Sequence, residues 1–124
     1  MTESKKILVV DDHPTSRLKL NMAVKKLGHD VEMAAGGGEA LGKLRANPDF
    51  NLVLLDILMP DVDGHQVLRT MQQEGSLAAI PVVVVSSITD DLEVTICMDE
   101  GAVGSLNKDF APEDLPVCIE QFAN

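Results

Sequence analysis

Polar residues able to do chemistry stand where apolar runs stop. Asp11 and Asp12 follow Ile7–Val10, Asp56 follows Leu52–Leu55, Ser86 and Ser87 follow Val82–Val85, and Lys108 lies just beyond Val103–Leu106. Three carboxylates brought together repel one another and hold their protons unless a cation joins them. A small hard ion meets that need, since Mg2+ favours few carboxylates, several waters and a phosphate oxygen. Lys108, the only cation after Arg69, would supply further positive charge. The set therefore suits a divalent ion together with a phosphoryl group. Taken singly, its members have plainer explanations. An Asp pair after a strand is commonly a turn or a helix cap. A serine often ends a strand, and a lone lysine is usually solvated. Asp56 is harder to explain as structure, because an acid closing a Leu-Val-Leu-Leu run meets little water unless it borders a cleft.

For these residues to meet, the runs they close must end along one edge of a sheet. Five runs recur, at Ile7–Val10, Val31–Ala34, Leu52–Leu55, Val82–Val85 and Val103–Leu106. The first, third and fourth are continuous and β-branched or Leu-rich, as central parallel strands covered on both faces should be. The second alternates with polar residues and the fifth is broken by Gly104 and Ser105, which suits edge strands. Helical spacing fills the intervals: Leu20, Ala23, Val24 and Leu27 before Gly28; Ala40, Leu41 and Leu44 before Asn47-Pro48; Val67, Leu68 and Met71 before Gly75; Val94, Cys97 and Met98 before Gly101; and Leu115, Cys118, Ile119 and Phe122 at the end. Pro14 and Pro112 sit where first-turn prolines are tolerated. The pattern predicts one doubly wound α/β domain over residues 1–124. It is a flavodoxin-like (βα)5 fold with a five-stranded parallel sheet of order 2-1-3-4-5 and its site at the carboxyl ends of the first and third strands.

Composition narrows the partners. The 124 residues carry a net charge of −10, with +2 in residues 1–45 and −12 in residues 46–124. That balance argues against direct contact with nucleic acid or an anionic membrane surface. No apolar run approaches the roughly 20 residues needed to span a bilayer. Met1 precedes a polar run and then a strand, which predicts no signal peptide and a cytoplasmic location. The two cysteines, Cys97 and Cys118, have no metal-binding spacing and read as buried free thiols.

The chain as a whole resembles a response-regulator receiver domain. The residues that carry the likeness are Val9-Val10-Asp11-Asp12, the D-x-x-M-P-x-x-D-G element from Asp56 through Met59-Pro60 to Asp63-Gly64, Pro81–Ser87, Gly101-Ala102 and Lys108. The resemblance implies that Asp56 takes a phosphoryl group from a histidine kinase or phosphotransfer protein. It implies that Asp12, Asp56 and the backbone carbonyl of Leu58 bind Mg2+ (or Mn2+), with Asp11 acting through water. Lys108 would pair with one phosphoryl oxygen and Ser86 would donate to another. The domain would catalyse only its own phosphorylation and dephosphorylation, without turnover of a substrate. Signal would leave through the face of the fourth helix, fifth strand and fifth helix, toward an output domain or a second copy. Ser86, Ser87 and Ser105 are the switch positions.

Two positions depart from the family pattern. Ser105 stands where an aromatic residue usually rotates, and Asp109 follows the lysine where proline usually follows through a cis bond. A non-proline cis bond costs about 2.5–4 kcal/mol. A backbone shift is then expected to replace the aromatic rotamer. Leu58 and Ile88, aliphatic and unable to orient water, imply a long-lived phosphoryl group. The acids Asp90, Asp91, Glu93, Asp99, Glu100, Asp109, Glu113 and Asp114 imply a basic partner. The serious alternative is a degenerate receiver that acts as a phosphorylation-independent interaction module. A flavin protein would want a phosphate loop where Asp11-Asp12-His13-Pro14 stands, and no P-loop motif occurs. A haloacid-dehalogenase phosphatase would need an acid where Leu58 stands.

Overall fold

The computed structural model describes residues 4–57, 63–86 and 91–124, with Asp91 described by its backbone alone. The elements alternate as β1 (Lys6–Val10), α1 (Pro14–Lys26), β2 (Asp30–Ala34), α2 (Gly37–Ala46), β3 (Leu52–Asp56), α3 (Gly64–Gln73), a single helical turn (Gly75–Ala78), β4 (Val82–Ser86), α4 (Asp91–Asp99), β5 (Gly104–Asn107) and α5 (Asp114–Phe122). The strands form one parallel sheet in the order β2-β1-β3-β4-β5, as the alternation of patterns predicts. No helix among the described residues is long and apolar enough to cross a membrane.

The continuous apolar runs are explained by burial on both faces. Leu8, Val10, Val53, Leu55, Val82 and Val84 point to the side of Leu41, Leu44, Leu68, Met71 and Cys97. Ile7, Val9, Leu52, Leu54, Val83 and Val85 point to the side of Leu20, Val24, Leu115 and Ile119. Successive strand residues alternate between two cores, so neither face of the central strands can carry a polar residue cheaply. Polar side chains are confined to the strand ends, which is where the chemistry sits.

Several boundaries differ from the sequence expectation. β5 begins at Gly104, because Val103 reaches Val82 through its N–H but leaves its side chain exposed. Gly75 opens a further helical turn that buries Leu77. Pro112 lies in the turn before α5, and Pro116 occupies the helix's first turn, where a missing N–H costs nothing. Leu27 and Met98 are exposed, Leu27 as the residue that caps α1. Gly28 follows with φ 92°, the left-handed conformation expected of a glycine past a helix end. Cys97 and Cys118 are buried free thiols, as expected.

Gly64 is required by close approach. A Cβ there would lie 2.7 Å from the Ile57 Cα and 2.8 Å from the Asp56 carbonyl oxygen, and the Gly64 N–H donates to the Ile57 carbonyl at 3.1 Å. Asp63 fixes the same junction by accepting the Gln66 N–H at its carboxylate, capping α3. The helix start thus packs directly on the end of β3. Gly64→Ala should cost about 1–3 kcal/mol, because overpacking here pushes backbone on backbone. A urea midpoint unchanged from the parent chain would refute this account of the junction.

Candidate functional site

The carboxyl edge of the sheet gathers the strand-end residues as the topology requires. Asp11 continues β1 by donating its N–H to the Ala34 carbonyl, and Asp56 is the last residue of β3. Both are 3% exposed. Lys108 is anchored by its own N–H to the Ser86 carbonyl at 3.0 Å, which ties the loop after β5 to the end of β4. Its ammonium reaches back to Asp11 Oδ2 at 3.2 Å and Asp56 Oδ2 at 3.4 Å. Partial burial works against this charge, but Asp56 and Asp11 outweigh it and hold the Lys108 pKa above its ordinary value. The charge is therefore present throughout the neutral range. The stabilisation it brings is lost only as pH rises through that raised value, above the usual lysine range.

The Lys108–Asp109 peptide is trans. Asn107 takes over the shaping of this loop: its side chain accepts the Asp109 N–H at 2.8 Å, and its carbonyl accepts the Phe110 N–H at 3.0 Å. An Asx turn of this kind holds a loop without proline.

Asp12 is half-buried beside Asp11. Its Oδ1 is buried and accepts no hydrogen bond, with the exposed His13 imidazole 3.2 Å away. Asp11, Asp12, His13 and Asp56 place ligand atoms within 4.8 Å of one another. An unsatisfied buried carboxylate oxygen in a set of three acids is the donor set a hard divalent ion takes. The residues fit Mg2+ or Mn2+.

Three basic residues at this edge were not legible as site residues. The backbone of His13 donates to Asp11 Oδ1 at 2.9 Å, and Arg17 donates to the Asp11 carbonyl at 3.0 Å. Lys19 shares with Asp11 and Lys108 the wall of an adjoining cleft of about 220 Å³. All three follow the acid pair closely in sequence, and a helix starting at Pro14 was the signal that would have turned them this way. Ser86 is half-buried at the end of β4, one position beyond the Val85 that pairs with Asp56. Ser105 is exposed on β5 and fills no pocket. Leu58, Met59, Pro60, Ser87, Ile88 and Asp90 lie outside the described residues.

One expectation about the surface is corrected. Glu93 and Glu100 do not join an acidic outer face but turn to α3, where they meet His65 and Arg69. The outward side of α4, β5 and α5 instead exposes Leu92, Ile96, Met98, Val103 and Val117 alongside Asp99, Asp109, Glu113 and Asp114.

The chain matches the family model of the response regulator receiver domain over residues 7–120. It is 35% identical over 111 residues to Protein PilH of Pseudomonas aeruginosa, covering 89% of this chain and 90% of that protein. It is 37% identical over 103 residues to the gliding motility regulatory protein of Myxococcus xanthus, where the match covers 83% of this chain but only 13% of that much longer protein. The chain spans about half the length of other curated relatives, such as the DNA-binding response regulator MtrA of Mycolicibacterium smegmatis, at 48%. Among solved structures, the chemotaxis protein CheY4 of Vibrio cholerae superposes with a TM-score of 0.89 at 27% identity, covering 97% of this chain and 99% of that one. The chain belongs to the response regulator receiver domains of two-component systems.

Lys108 is the counter-ion to two buried carboxylates, so its removal leaves charge uncompensated. Lys108→Met is expected to lose about 1–3 kcal/mol at pH 7. An Asp56→Asn change should recover part of that loss, because one of the two uncompensated charges is then gone. Urea unfolding of the single and double variants checks this, and an equal loss in both backgrounds would count against the counter-ion role.

Proposed function

We propose that this domain accepts a phosphoryl group on Asp56 from the phosphohistidine of a histidine kinase or phosphotransfer protein. The observation that carries the reading is Asp56 itself, a carboxylate 3% exposed that closes a buried strand and faces a lysine at 3.4 Å. A carboxylate oxygen attacks phosphorus, an O–P bond forms as the N–P bond breaks, and the departing imidazole nitrogen takes up a proton. Asp11, Asp12 and Asp56 are the residues that would hold Mg2+ or Mn2+, with the Leu58 carbonyl as the family's further ligand. Bound there, the ion supplies positive charge toward the phosphoryl oxygens. Lys108 neutralises another of those oxygens, and Ser86 donates a hydrogen bond from the end of β4. Positioning and charge neutralisation are most of what phosphoryl transfer asks of a protein. The domain performs this on itself and turns over no other substrate. A cytoplasmic location follows from the partner kinase's chemistry.

Two surfaces suit two partners. Leu18 and Met22, 52% and 62% exposed on α1 beside the acidic edge, offer an apolar landing place for the phosphodonor. The exposed apolar residues of α4, β5 and α5 suit an output domain or a second copy, with Asp99, Asp109, Glu113 and Asp114 favouring a basic rim on the partner. Nucleic acid is not expected to touch this domain directly at net charge −10.

Treatment with a phosphoramidate or acyl-phosphate donor and Mg2+ should add one phosphoryl mass, with no gain under chelation or in Asp56→Asn. An equal gain in Asp56→Asn would remove Asp56 from its role. Chemical-shift mapping with Mg2+ and a phosphoryl mimic should show changes spreading from Asp56 into residues 91–122. Changes confined to the acidic edge would favour the degenerate interaction module instead.

A further inference from the structure

Between α3 and α4 lies a cluster that phosphorylation at Asp56 does not use. His65 Nε2 faces Glu93 Oε1 at 2.5 Å, and its Nδ1 meets Glu100. The other oxygen of Glu100 takes Arg69 at 2.6 Å. Cys97 stands one helical turn beyond Glu93 on the same side of α4. Ligand atoms of His65, Glu93 and Cys97 lie within 4.8 Å of one another. We infer that His65, Glu93 and Cys97 form a second metal site, distinct from the acidic edge and suited to a divalent ion of the zinc class.

The donor types decide the ion. Imidazole nitrogen, thiolate sulfur and one carboxylate oxygen make a mixed, softer set, which zinc and cobalt accept and magnesium does not. A tetrahedral ion with ligand distances of about 2.0–2.3 Å draws its ligand atoms to roughly 3.3–3.8 Å of one another, a rotamer adjustment from the present spacing. The surroundings are those of a built site. Glu100, held by Arg69, accepts from Nδ1–H and orients the ring, while Nε2, which donates to Glu93 in the metal-free chain, gives up its proton when a metal takes its place. Glu93 and a Cys97 thiolate together neutralise a divalent charge, while Glu100 and Arg69 neutralise each other. Side-chain exposures of 20% for His65 and 32% for Glu93 open the site to solvent, and buried Cys97 closes its inner side. Three protein ligands leave a fourth position for water.

Burial, with Glu93 and Glu100 nearby, pushes the Cys97 thiol up to about 11. The metal-free residue is therefore an unreactive thiol. On coordination the Cys97 S–H and the His65 Nε2–H bonds break, both protons leave to solvent and metal–sulfur and metal–nitrogen bonds form, with no change of oxidation state. The ion replaces the direct His65–Glu93 contact and joins α3 to α4.

The test is a Co2+ titration of the full chain with Mg2+ in excess to fill the acidic edge. One equivalent of Co2+ should raise a thiolate-to-metal charge-transfer band, and Zn2+ should bleach it. The band should vanish in Cys97→Ser and His65→Gln but persist in Cys118→Ser and Asp12→Asn. Glu100→Gln should keep the band while weakening affinity by about 10–100-fold, the effect expected of a residue that orients a metal-bound histidine. Circular dichroism establishes that each variant is folded, and the more exposed His65→Gln decides the matter if Cys97→Ser unfolds. Absence of the band in the parent chain, or its survival in His65→Gln, overturns the site and leaves the cluster an ion-pair network.

Discussion

The structure depends on the compensation of carboxylates at the carboxyl edge of a sheet whose interior admits no polar group. Asp11 and Asp56 are as buried as many core residues, yet both carry charge-bearing groups that burial disfavours. Lys108 makes this tolerable, and the fold places it with one tertiary connection, the backbone bond to Ser86, and one local one, the Asx turn at Asn107. Among the described residues Lys108 pairs with Asp11 and Asp56 while Arg17 is spent on the Asp11 carbonyl, so the three acids remain under-compensated. An orphaned Asp12 oxygen is the visible sign of that deficit. A divalent cation would relieve that excess of negative charge.

This arrangement was legible in the sequence because parallel strands fix direction. Every strand of such a sheet delivers its last residue to one edge, so Asp11, Asp12, Asp56, Ser86 and Lys108 converge whatever the helices do. Both-face burial also made the three central runs readable without alternation. The edge strands were legible for the opposite reason, being interrupted or alternating.

The helices were less legible, since one residue of phase error turns a side chain by 100°. The helix α4, Asp-Leu-Glu-Val-Thr-Ile-Cys-Met-Asp, is apolar nearly all round, and its pattern alone does not select an inward face. The fold selects the face with Glu93 and Cys97, because His65 and Arg69 of α3 attract the acids, and Leu92 and Ile96 are left exposed. The acidic outer surface expected from composition was overestimated for this reason. Likewise His13, Arg17 and Lys19 joined the site through the direction in which α1 leaves the sheet, which spacing within the chain does not specify.

With serine at position 105, a bulky side chain there does not join the end of β3 to α4. Ser105 is small and exposed, so its side chain cannot fill one pocket and leave another. A different contact chain is present, and two consecutive residues make it. Gly64 touches the carbonyl of Asp56 and the backbone of Ile57 so closely that a methyl group would not fit. His65, the next residue, binds Glu93 of α4 and Glu100 just past its end. The end of β3 is thus joined to α4 through backbone packing on one side of a peptide and charge pairing on the other. Packed junctions of this kind have little freedom to deform gradually. Polar contacts half open to water are weaker than buried aromatic packing. Movement of α4 relative to Asp56 would therefore strain or remake the ionic contacts at His65.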